Sequence, residues 1–135
     1  MSEANDSRED VVIAQGLTKQ FHAGPIAVVA VNEVDLRLPR GKLVALRGSS
    51  GCGKSTFLNL LGALDRPTGG ALTVDGVDVA GLRGKEEVGY RRHKTGFVFQ
   101  SFNLIPHLTA TENVMLPMEF TGLPRRQQEE RARSI

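Results

Sequence analysis

A chain of 135 residues with 40% hydrophobic content has room for one globular domain with a modest core, and excludes two full domains. Seventeen basic against fifteen acidic residues leave a formal net charge of +2, too small a surplus to make nucleic acid the default partner. The single cysteine excludes an internal disulfide and suits a reducing compartment.

Residues 1–10, MSEANDSRED, are acidic and polar, which predicts a disordered tail and not a signal peptide. VVIAQGLTKQF at 11–21 and IAVVAVNEVDLRL at 26–38 are rich in β-branched residues and separated by a turn-like HAGP, so two antiparallel strands are expected. The apolar run IAVVAV at 26–31 is far too short to cross a bilayer. After the turn PRGK at 39–42, LVALRG at 43–48 is almost continuously apolar, the pattern of a strand buried on both faces. Phe57, Leu58, Leu60, Leu61 and Leu64 then recur at spacings of three and four, predicting an amphipathic helix that DRPTGG at 65–70 stops.

ALTVDGVDV at 71–79 alternates around a D-G pair and predicts a strand with a turn inside it. LRGKEEVGYRRHK at 82–94 is polar and partly helical despite two glycines, with RRHK at 91–94 as a solvated face. GFVF at 96–99 predicts a second buried strand that delivers Gln100 at its carboxyl end, where open α/β sheets bind ligands. Helices are expected over 109–122 and 124–135, the latter carrying Arg125/Glu129 and Arg126/Glu130 at i, i+4. His22, His93 and His107 show no metal-ligand spacing.

Between the expected strand at 43–48 and the first helix lies GSSGCGKST, residues 48–56, which satisfies G-x-x-x-x-G-K-[ST] in the strand–loop–helix setting that this pattern requires. Chance would produce such a match in roughly half a percent of chains this long. Glycines let the backbone turn through conformations closed to other residues and bring successive N–H groups around a phosphate chain. The following helix offers unpaired N–H groups and a positive dipole end to the same anion. The pattern assigns Lys54 to the β- and γ-phosphates, the Ser55 hydroxyl to Mg²⁺, and the amides of Gly51, Gly53 and Thr56 to the α- and β-phosphates. Gly48, Ser49, Ser50 and Cys52 complete the cradle, Cys52 as a tolerated small residue. A dinucleotide fingerprint fits less well, because GCGKST has no third glycine where that motif needs one.

Together with this loop, LDRPTGGALTVDG at 64–76 and GFVFQSFNLIPHLTATENVMLP at 96–117 resemble the nucleotide-binding subunit of ABC transporters, most similar to the branch that drives lipoprotein release and macrolide-type export. The likeness runs from about Val11 to Ile135. It implies an α/β fold, a P-loop NTPase of ABC type, with an N-terminal antiparallel β portion and an incomplete, mostly parallel core sheet with flanking helices. It also implies ATP and Mg²⁺ as cofactors, a membrane-spanning permease subunit as partner, a homodimer of complete domains, no nucleic-acid partner, and a cytoplasmic position on the inner face of the cell membrane through the permease. By position Gln100 is the glutamine of the Q-loop, which completes Mg²⁺ coordination and senses the γ-phosphate beside the helical subdomain that meets the membrane partner. Lys54 and Gln100 are thus the expected catalytic residues within this chain.

Phe21 falls where the family places an aromatic, usually tyrosine, to stack on adenine, and its π-face retains stacking of roughly 1–3 kcal/mol. Taken without the resemblance, Gln100 also reads as a polar strand-end residue and Phe21 as a core aromatic. Arg47 and Ser49 depart from the family's more usual apolar residue and proline, implying a change in loop stiffness. The family's hydrolytic glutamate, which follows an apolar strand ending in aspartate, its LSGGQ-type signature and its switch histidine have no counterpart after Gln100. The expectation is a partial nucleotide-binding domain over 11–135 that binds MgATP without turnover, drawn from a protein that is an ATP hydrolase when intact. An ABC-type regulatory or DNA-repair ATPase and a P-loop small-molecule kinase stay open as alternatives, although the kinase does not account for FVFQSFNLIPHLT.

Overall fold

The computed structural model describes residues 10–135, so the tail expected at 1–10 lies outside the described residues except for Asp10, which opens the first strand. The chain divides after Phe97 into two compact units, which are taken in turn.

In the first unit, β1 (Asp10–Ala23) and β2 (Ile26–Pro39) form the expected antiparallel hairpin. β3 (Gly69–Val74) pairs with the other edge of β1, and β4 (Val77–Asp78) with β3, giving an antiparallel sheet in the order β2-β1-β3-β4. The D-G pair at Asp75–Gly76 supplies the β3–β4 turn as its chemistry predicts. Across the hairpin Lys19 faces Val31 and Gln20 faces Val29, so Ala30 is the extra residue of a bulge in β2.

The inward side chains Val12, Ala14 and Leu17 of β1, Val31 of β2, and Leu72 and Val74 of β3 meet Phe57, Leu60 and Ala63 from the region of α1 (Lys54–Leu61) and Tyr90 from α2 (Lys85–His93). Leu17, Leu60 and Leu72 are completely buried, each contributing about 1.5–3 kcal/mol by leaving water. α2 also closes the end of α1. The Tyr90 hydroxyl donates to the Leu61 carbonyl at 2.6 Å and the Arg91 guanidinium to the Ala63 carbonyl at 2.8 Å, satisfying groups that a helix C-terminus leaves unpaired. Burial, aided by the Asp75 charge, pushes the Tyr90 hydroxyl up to about 12. Glu87 accepts from Arg91 and Arg66, and these hydrogen bonds hold its carboxyl below the ordinary range. Asp75 accepts from Lys94 and Arg40, which lower it from 3.8 to about 2.

Two expected strands do not form ladders. Residues 43–48 and 96–99 are irregular, and Leu43 and Val98 are fully exposed. A strand buried on both faces needs hydrogen-bonding neighbours and a cover on each side; the described sheet ends at β2 and β4, and no strand pairs with either segment.

In the second unit, α3 (Ala110–Met115) starts at a reciprocal capping box: the Glu112 amide donates to the Thr109 hydroxyl, and the Thr109 amide to the Glu112 carboxylate at 2.8 Å. That backbone hydrogen bond, with the one from the Thr109 hydroxyl, keeps the Glu112 carboxyl below its ordinary value. The single helix expected over 109–122 is divided, because Pro117 lacks the N–H that an α-helix would use, and Leu116–Thr121 tightens into a 3₁₀-helix. α4 (Arg125–Arg133) carries the expected Arg125–Glu129 and Arg126–Glu130 pairs at 3.4 and 3.1 Å. Ahead of α3, the Asn113 side chain pins the preceding loop, accepting from the Ile105 amide at 2.7 Å and donating to the Leu108 and Thr109 carbonyls. Among the described residues no helix is long and apolar enough to cross a membrane.

Candidate functional site

The glycine loop seats itself by backbone contact. Gly53, at φ +89°, is the N-cap of α1, and a Cβ built on it would stand 2.0 Å from the carbonyl oxygen of Ala30. The bulge in β2 therefore presents a main-chain oxygen where only a glycine fits. Gly51 also has a left-handed conformation, φ +79°, but its missing Cβ would point into open space. A Cβ at Gly48 would lie 2.5 Å from the Cys52 sulfur, so the exposed thiol lies across the face of Gly48.

Because Gly53 has no side chain, the first turn of α1 has no capping oxygen, and that turn contains no acidic residue. Its free N–H groups and dipole end are left to an outside anion. The Lys54 ammonium folds over the loop, donating to the carbonyls of Gly48 at 2.9 Å and Ser49 at 2.7 Å and to the Cys52 sulfur at 3.4 Å. None of these partners is a carboxylate. Ser55 is exposed and Thr56 half-buried at the same helix start. A cation, uncapped amides and a free hydroxyl converge here, a donor set that fits a phosphate chain with its metal.

The structure places Gly48, Ser49, Ser50, Gly51, Cys52 and Gly53 in the loop that leads into α1, and Lys54, Ser55 and Thr56 in its first turn. Phe21 stands on β1 in the same unit, 43% exposed and outside the core cluster. Gln100 belongs to the second unit, exposed in a turn and not at the end of a strand. Sequence reasoning passed over Ala30, whose carbonyl dictates Gly53, and over Lys19, whose ammonium lies 4.9 Å from the centre of the Phe21 ring. Only the second left a trace: Lys19 and Phe21 are two apart on one strand and share a face.

Comparison with known proteins gives these features a family. The family model described as ABC transporter matches residues 31–135. An uncharacterised ABC transporter ATP-binding protein of Mycobacterium tuberculosis is 46% identical over 121 residues, which cover 90% of this chain and 37% of that protein. The macrolide export ATP-binding/permease protein MacB of Brucella abortus is 45% identical over 121 residues, 90% of this chain and 19% of its own length. A solved dimeric ATP-binding cassette in a post-hydrolysis state, bound to ADP and Pi, matches with a TM-score of 0.83 at 40% identity, covering 91% of this chain and 54% of that one. The chain therefore spans from about a fifth to over a third of these curated relatives and about half of the solved cassette. With its glycine loop, its antiparallel β portion and this family match, the chain belongs to the ABC transporter family and has the P-loop fold of that family's ATP-binding cassette.

Proposed function

We propose that the glycine loop binds MgATP and that the chain is the nucleotide-binding part of an ABC transporter. The observation that carries this is the Lys54 ammonium, held among the described residues by main-chain carbonyls and a thiol at the mouth of an uncapped helix. A triphosphate gives that cation charged acceptors in place of neutral carbonyls, and charge-assisted hydrogen bonds are the stronger. In this reading Lys54 takes the β- and γ-phosphates, the amides of Gly51, Gly53 and Thr56 take the α- and β-phosphates, and Phe21 stacks on the adenine. The Ser55 hydroxyl would hold Mg²⁺, which when bound supplies charge neutralisation to the phosphates.

Turnover needs more than this cradle. Hydrolysis requires a base within hydrogen-bond reach of the attacking water, and the first turn of α1 and the partners of Lys54 include no carboxylate. The 135-residue chain accordingly binds nucleotide without multiple turnover. In the whole protein, ATP binding and hydrolysis drive transport or extraction by a membrane-spanning partner at the cytoplasmic face, with two cassettes paired. The names of the relatives support this: one is an export ATP-binding/permease protein and the solved cassettes are dimeric. The family match gives the small-molecule kinase alternative no support.

Cys52 reports on the site directly, because its thiol is exposed inside the loop. MgATP is expected to slow its alkylation by iodoacetamide, whereas MgAMP is not. Equal labelling rates with and without MgATP would contradict the assignment.

A further inference from the structure

We infer that Lys19 is a positioning residue for the base platform, its ammonium orienting the Phe21 ring and adjusting that ring for a purine. The inference rests on the reading of Phe21 as the surface on which adenine stacks.

Lys19 is only 8% exposed, unusual for a lysine, whose ammonium is rarely withdrawn from water without partners. Two partners are oxygens, Asp65 Oδ1 at 2.5 Å and the Arg66 carbonyl at 2.8 Å. The ammonium also stands over the Phe21 ring, 4.9 Å from its centre, within the range of a cation–π contact. With the Asp65 side chain 32% exposed, the ion pair is weak evidence for stability. What this pair achieves is placement. A phenyl ring has no polar atom by which hydrogen bonds could orient it, and Phe21 remains 43% exposed, so the ring both needs an anchor and offers surface to a ligand.

The anchor is indexed to the phosphate cradle. Asp65 follows α1, and the amides of Leu64 and Asp65 donate back to the Asn59 carbonyl at 2.9 and 3.3 Å. Asp65 Oδ1 accepts in addition from the Arg66 amide at 2.7 Å, which fixes the carboxylate. The helix that begins at Lys54 thereby positions, at its other end, the cation beneath the base platform. There is an electronic effect as well. Two stacked rings repel through their electron-rich faces; a cation on one side of Phe21 draws π-density toward itself and eases that repulsion on the other.

Calorimetric titration of the full chain with MgATP and with magnesium tripolyphosphate, which has the phosphates and no base, separates the two roles. Wild type is expected to prefer MgATP, and Phe21→Leu to narrow that preference. Lys19→Met should narrow it by roughly three- to tenfold while leaving tripolyphosphate affinity unchanged. The double variant Lys19→Met/Asp65→Asn, which leaves no orphan carboxylate, should do the same. If Phe21→Leu narrows the preference but neither Lys19 variant does, or if the Lys19 variants lose affinity for both ligands in parallel, the positioning role is overturned and the platform stands. An unchanged preference in Phe21→Leu overturns the platform itself, and the role of Lys19 with it.

Discussion

Gly53→Ala puts the seating of the phosphate loop to the test. The new Cβ would meet the Ala30 carbonyl oxygen at 2.0 Å, against the 3.4 Å at which ordinary contact begins, so loop and strand must separate by about 1.4 Å. Ala30 cannot yield easily, because its neighbours Val29 and Val31 are paired with β1 on either side of the bulge. The left-handed conformation at φ +89° adds about 1–2 kcal/mol for a residue with a side chain, and the steric conflict about 1–3 kcal/mol. Gly51→Ala is the matched control, with φ +79° and nothing within 4 Å of the new Cβ, so it carries the conformational cost alone. Urea unfolding followed by far-ultraviolet circular dichroism, with a slope of about 2 kcal/mol per molar, should show a midpoint lowered by about 1–2.5 M in Gly53→Ala. In Gly51→Ala the shift should stay under about 1 M. Equal midpoints in the two variants would refute the close approach to Ala30 as the reason for glycine at 53.

Two further substitutions address the packing of the first unit. Asp75, lowered to about 2 by Lys94 and Arg40, contributes stability that is present above its ordinary 3.8 and lost as pH falls toward 2. Asp75→Asn should therefore have a lower urea midpoint than wild type at pH 6, with the gap closing near pH 2; a constant gap speaks against the ion pairs as its cause. Tyr90→Phe removes the donor to the Leu61 carbonyl and should cost about 0.5–1.5 kcal/mol, read as a lowered midpoint in the same assay. An unchanged midpoint would show that this hydrogen bond does not hold the end of α1.

Local patterns were legible in the chain and long-range placement was not. The β-branched runs at 11–21 and 26–38, the D-G turn and the spacing of Phe57, Leu60 and Leu61 are local signals, and β1, β2, β3 and α1 follow them closely. The start of α1 directly after the glycine loop was legible for the same reason, since loop and helix start are consecutive. LVALRG and GFVF have the composition of central strands, but a ladder is a property of two segments, and in the described sheet neither finds a neighbour. Pro117 stands inside the helix expected at 109–122, and its missing donor divides that helix. The contacts of Lys19 with Asp65, Ala30 with Gly53 and Tyr90 with Leu61 join residues 46, 23 and 29 positions apart. No periodicity encodes such pairs.

Affinity of the full chain for MgATP, measured by calorimetric titration before and after Lys54→Ala, decides whether the glycine loop is the nucleotide site. Removing a charge-assisted contact worth about 1.5–3 kcal/mol should weaken binding by roughly ten- to a hundred-fold, with the urea midpoint little changed because the ammonium's partners among the described residues are loop carbonyls and a thiol. An affinity for MgATP that is the same in both proteins would contradict the account of this loop as the nucleotide site.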